Sequence, residues 1–95
     1  MLDAHRGDSS LSKSMARLAP GQIAEILSFS DDLSESFLTR LRELGFREGE
    51  VVRCVRHLPL GAPPVFEICG TNYSVDFDVA SQIQTRVVTG STQNK

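Results

Sequence analysis

Between Ser34 and Gly49 the chain reads SESFLTRLRELGFREG, a stretch with a strong helical period. Phe37, Leu38, Leu41 and Leu44 fall at i, i+1, i+4 and i+7, so these large apolar side chains share one helix face. Asp32 with Glu35 fits a capping box and Ser34 is an alternative N-cap, which leaves the helix start open by about two residues. At the other end Gly45 suits the left-handed C′ position and Phe46 can fold back onto Leu41, while Arg40 and Arg42 suit the negative end of the helix dipole. A helix of roughly ten residues does not hold itself together in water. The stripe therefore predicts a short helix clasped onto a β structure.

The remaining segments carry strand signals. Pro20 and Gly21 mark a turn, and behind them Gln22 to Phe29 is a β-compatible run, apolar on both sides, in which either Ala24 with Ile26 or Ile23 with Leu27 faces inward. After a tight connection at Arg47–Gly49, the run Glu50 to Leu58 predicts a second strand with Val52 and Cys54 in the core. Pro59 to Pro64 (PLGAPP) cannot sit in a ladder, because the three prolines lack an N–H, and a loop is expected there with Leu60 partly exposed. Val65 to Cys69 predicts a third strand with Phe66 and Ile68 on one face. A turn is expected at Gly70–Asn72, followed by a fourth strand in which Tyr73, Val75 and Phe77 alternate. Asp78 to Gln82 reads as one helical turn capped by Asp78, with Ala80 and Ile83 pointing inward, and Thr85 to Val88 as a last short strand. Five short strands, one inserted α-helix and no βαβ unit predict a mainly β fold, a small and partly open barrel.

Composition bounds the ends and the class. Residues 1–17 mix Asp, His, Arg, Lys and Ser with few large apolar groups, which predicts a flexible N-terminal extension, a short amphipathic helix over Leu11–Leu18 being the alternative. The barrel is then expected over 18–89, with a polar C-terminal tail at 90–95. A chain of 95 residues that is 40% hydrophobic can bury one small core but not a deep substrate cavity as well. A formal charge of −2 gives no long-range attraction to phosphates, so nucleic acid is not expected as a partner. No apolar run approaches the roughly 20 residues that span a bilayer, and the first residues lack the apolar segment of a signal peptide. The expected location is cytoplasmic, without direct membrane insertion. In that setting the two cysteines, Cys54 and Cys69, are expected as free thiols.

Candidate chemistry is thin. Cys54, His57 and Cys69 fall short of the four closely spaced ligands of a structural zinc site, and a small core thiol with a surface histidine accounts for them. His5 lies in the extension, too far away to be assigned a role. Asp31, Asp32, Asp76 and Asp78 match no calcium-loop spacing, and a solvated surface explains them. There is no nucleophile elbow and no phosphate-binding glycine pattern. The expectation is a protein that is not an enzyme, with no catalytic residue, no metal site and no cofactor. What remains is a set of surface groups, Arg40, Arg42, Arg47, Arg53 and Arg56 around the helix and second strand, with Leu60 at a loop tip.

The segment RLRELGFREGEVVRCVRHLPLGAPPVFEICG, Arg40 to Gly70, resembles the small ferrous-iron-transport protein A (FeoA) family. Its ordered features are a leucine-rich helix, L-G, a hydrophobic residue, x-x-G, a strand, P-x-G-x-P and a second strand, matched here by Leu41, Leu44, Gly45, Phe46, Gly49, Val52, Pro59, Leu60, Gly61, Pro63, Phe66, Ile68 and Gly70. Leu18, Pro20, Gly21, Ala24 and Ile26 fit the family's opening strand, and Ala80 with Ile83 its closing turn. The resemblance implies an SH3-like barrel in the bacterial cytoplasm. It also implies a non-catalytic binding module that docks on the cytosolic part of the membrane ferrous iron transporter FeoB. Under that reading Leu60 is the expected apolar anchor, and Arg42, Arg47 and Arg56 set orientation and on-rate. The alternative is a domain that binds Fe2+ or another transition metal and senses it, through Cys54 or His57. Open strand edges also permit a homo-oligomer. Two departures stand out: where the family commonly carries basic residues, this chain has Asp76 and Phe77, and its N-terminal extension is longer than that of the minimal family member.

Overall fold

The computed structural model describes residues 12–89. Its elements in chain order are β1 (Ser12–Ser14), a 3-10 turn (Met15–Arg17), β2 (Ile23–Phe29), α1 (Glu35–Leu44), β3 (Val51–Arg56), β4 (Val65–Ile68), β5 (Thr71–Ser74), α2 (Phe77–Ala80) and β6 (Ile83–Thr89). The strands form one antiparallel sheet in the order β1-β6-β2-β3-β4-β5. The fold is mainly β and SH3-like, as expected, with six strands in place of about five. The sheet does not close, since β1 and β5 are its two ends.

The sixth strand corrects the N-terminal boundary. The expected extension over residues 1–17 does not hold for Ser12 to Arg17: β1 pairs with β6, and Met15, Ala16 and Leu18 are buried. Thr85 Oγ1, itself buried, donates to the Lys13 carbonyl at 2.9 Å and ties that strand down. Three small-to-large apolar side chains spaced among Ser, Lys and Arg have too little local pattern to announce a core segment, yet together they close one end of it. The rest of the expected extension, with His5, and the tail at 90–95 lie outside the described residues.

Register decides which side of each strand is inside. Ala24 and Ile26 are buried and Ile23 and Leu27 are not, which resolves the ambiguity of β2. Ile26 pairs with Thr85 but Ser28 with Gln84, so Leu27 is the extra residue of a β-bulge, and beyond it Phe29 and not Ser28 packs against the core. Val52, Cys54, Phe66 and Ile68 are buried as expected, as are Ala80 and Ile83. Two boundaries move. The β4–β5 turn is Cys69–Gly70, with φ 52° and 80°, one residue earlier than the expected Gly70–Asn72. β5 therefore starts at Thr71, and Phe77 opens α2 with Asp76 at its N-cap position, where a strand ending at Phe77 and a cap at Asp78 were expected.

Of the two starts the sequence leaves open for α1, the structure takes Ser34 and not the Asp32–Glu35 capping box. Ser34 is the N-cap, its Oγ accepting from the Phe37 N–H at 3.2 Å. At the other end Gly45 has φ 114°, its N–H donates to the Arg42 carbonyl, and the Phe46 N–H donates to the Leu41 carbonyl at 2.9 Å, a Schellman arrangement. The apolar stripe behaves differently from expectation. Leu41 is buried and Leu38 half-buried, but Phe37 and Leu44 stay 38% and 37% exposed. The helix rests on the sheet along one line of contact, and the flanks of its stripe face outward.

Candidate functional site

The residues singled out from the sequence separate into two groups. Leu60 sits at the tip of the β3–β4 loop with its whole side chain in solvent, 101% exposed, and with a left-handed backbone, φ 62°. Gly61 follows at φ 79° and the Ala62 N–H reaches the Pro59 carbonyl at 3.3 Å, so both central residues of this turn have positive φ. Glycine adopts that conformation at no steric cost, but leucine does not. Arg56, exposed at the end of β3, stands on the same hairpin, as does Leu58, which is 40% exposed. No Asp or Glu lies between Glu50 and Glu67, so this hairpin tip is locally basic.

Arg42 and Arg47 belong to the other group, at the C-terminus of α1, and both are engaged within the molecule. The Arg42 guanidinium donates to both Glu48 carboxylate oxygens at 3.2 and 3.3 Å and lies 5.7 Å from the centre of the Phe29 ring. Arg47 Nε donates to the Arg42 carbonyl at 3.2 Å, a second donor on an oxygen that already accepts from the Gly45 N–H at the helix end. Arg53, among the wider set, bridges to Glu67 directly across β3 and β4, at 2.6 Å. These arginines have local work, while Leu60 touches nothing.

The metal-ligand candidates are not brought together. Cys54 is fully buried opposite Phe66, whereas Cys69 is exposed beyond the end of β4. Burial pushes the Cys54 thiol up from its ordinary pKa, an effect that neighbouring Arg53 partly offsets. His57 Nε2 is 2.7 Å from the Leu18 carbonyl, a bond that pins the start of the barrel to the β3 end. Among the described residues no group of three or more His, Cys, Asp or Glu side chains could hold a metal ion. Nor is any described helix long and apolar enough to cross a membrane.

A groove of about 180 Å³ went unseen in the sequence. Phe37, Arg40 and Leu44 of α1 form one wall, Ser74, Val75 and Asp76 the other, and Leu41, Phe46, Tyr73 and Val79 also line it. The Phe46 and Tyr73 rings meet at 5.7 Å between centroids. Its sequence signal was the width of the α1 stripe, wider than a single line of contact can cover.

Comparison with known proteins fits this geometry. The iron(II) transport protein A from Clostridium thermocellum superposes with a TM-score of 0.72 at 32% identity, over 79% of this chain and 45% of that one. FeoA from Stenotrophomonas maltophilia, solved with zinc and described as a prokaryotic SH3 domain protein proposed as a ferrous iron transport activating factor, gives 0.63 at 28% identity, over 77% of this chain and 95% of that one. FeoA from Chlorobium tepidum gives 0.74 at 24% identity, over 82% and 72%, and speaks for the fold alone. No curated protein matches the sequence significantly. The family model described as the FeoA domain matches residues 13–87, all but the first residue of β1 included, and the chain therefore belongs to the FeoA domain family.

Proposed function

We propose that this chain is a cytoplasmic, non-catalytic accessory of bacterial ferrous iron uptake that docks on the cytosolic part of the membrane transporter FeoB. Family membership supports the process, and the observation that carries the docking is Leu60: an apolar side chain held wholly in solvent by a backbone conformation leucine disfavours. Prolines 59, 63 and 64 stiffen the loop, so little ordering entropy is lost when it seats. Leu60 is the anchor, Arg56 beside it contributes orientation, and Arg42 and Arg47 shape the field from within their helix-end contacts.

Leu60→Asn tests this cleanly, because Asn-Gly is the favoured pair for a two-residue turn with positive φ at both positions. The variant is expected to fold at least as stably as the parent and to bind the purified transporter's cytosolic domain roughly ten- to a hundredfold more weakly. Unchanged affinity in Leu60→Asn, measured by titration calorimetry, would remove the loop from the interface. Ferrous uptake that proceeds unaltered in cells lacking the protein would remove the function.

A further inference from the structure

β5 ends the sheet, with no described strand beyond it. Ile68 and Thr71 flank a two-residue turn, so they and the pair Phe66 and Tyr73 exchange the ladder hydrogen bonds, and Asn72 and Ser74 turn their N–H and C=O groups outward. The edge also lacks the usual protection: Thr71, Asn72 and Ser74 are exposed, uncharged and free of proline. Tyr73 and Ser74 point to opposite faces of the strand, yet both line the groove described above. The groove therefore opens at the C-terminal end of the β5 edge, beside Tyr73 and Ser74, and the outward groups of Asn72 continue the edge beyond it. Its far wall is α1, which contributes the half-covered Phe37 and Leu44 and, with them, Arg40, a cation without an ion pair among the described residues.

We propose that this groove receives an extended segment of a partner protein as an added strand on β5, with a large apolar side chain between Phe37 and Leu44 and a carboxylate against Arg40. Free backbone groups alternating along an edge are matched by another backbone, which a small ligand does not supply. A second copy of this chain offering its own β5 brings only Thr71, Asn72 and Ser74, because its Tyr73 is already packed on Phe46, and none of the three fills an apolar groove. The site is separate from Leu60 and does not depend on which protein supplies the segment.

The full chain is to be used as bait for a phage-displayed library of random linear peptides, and the selected peptides then titrated as synthetic compounds. The expected winners alternate apolar with polar residues, lack proline and carry Asp or Glu. Arg40→Glu and Leu44→Glu should each weaken them about tenfold or more, and Leu60→Asn should leave them unchanged. Asn72→Pro, which removes an outward N–H without touching the ladder to β4, should abolish binding while the amide spectrum stays folded. No peptide above background, or selected peptides indifferent to the groove variants Arg40→Glu and Leu44→Glu and to the edge variant Asn72→Pro, would overturn the assignment. So would a self-association seen by light scattering that Asn72→Pro abolishes, since that outcome gives the edge to a second copy.

Discussion

Gly45 holds two constraints at once. Its φ of 114° belongs to glycine, and a Cβ there would meet Cys69 Sγ at 3.0 Å. Gly45→Ala is expected to lose about 1–2 kcal/mol, a fall in melting temperature on the order of 5–15 °C by circular dichroism. Met15, fully buried in a segment that reads as polar, makes the sharper test of the N-terminal correction: Met15→Ala should cost about 2–5 kcal/mol in urea unfolding, whereas a residue of a loose extension would cost nothing. Cys54 gives a pH signature. Its folded thiol holds its proton above the ordinary value of 9.0, so the unfolded chain releases the proton first as pH rises. Stability from this group is present below about pH 9 and falls above it, and Cys54→Ala should flatten that fall in unfolding curves at pH 8 and 10. In the native state iodoacetamide should label Cys69 and spare Cys54.

Among the elements, those with complete local signals were legible and those made by tertiary contact were not. Gly45 and Phe46 announce the C-terminal end of α1, because that cap is satisfied within a few residues of chain, whereas the start stood open between an Asp32–Glu35 capping box and Ser34 until the Ser34–Phe37 bond decided it for Ser34. The inward faces of β3 and β4 follow from strict alternation at Val52 and Cys54, and at Phe66 and Ile68. The Cys69–Gly70 turn was displaced by a residue because cysteine is a poor advertisement for positive φ, a conformation usually signalled by Asn or Asp. Phe77 looked like one more inward strand residue, yet it is 58% exposed at the start of α2. Likewise the stripe on α1 gave the helix but not its incomplete burial, which depends on how closely β5 and Val75 approach. Leu60 was placed at a loop tip from prolines alone, but its backbone strain and full exposure needed coordinates. Deleting residues 1–17 would strip β1 and Met15 from the core, so loss of partner binding in that truncation is expected together with loss of cooperative unfolding.

At the scale of the whole molecule, cross-strand ion pairs are spread over the sheet. Arg53 with Glu67 joins β3 to β4, and Arg86 with Glu25, at 2.6 Å, joins β6 to β2. All four side chains remain partly exposed, so each pair contributes about 0–1 kcal/mol and weakens with salt. The apolar interior and not the charge pattern holds the fold. The two surfaces proposed above lie apart: Leu60 at the tip of the β3–β4 hairpin, and the β5 edge beside α1.

The bond from Thr85 to the Lys13 carbonyl spans 72 positions, and β1 pairs with the described strand that is made last. β1 has no partner until β6 is made, and β2 has only β3 on its other side until then. A nascent chain halted before residue 83 should therefore stay protease-sensitive throughout, while release of β6 from the exit tunnel should protect it in a single step. The small barrel is thus born all at once, with its first described residues waiting on its last.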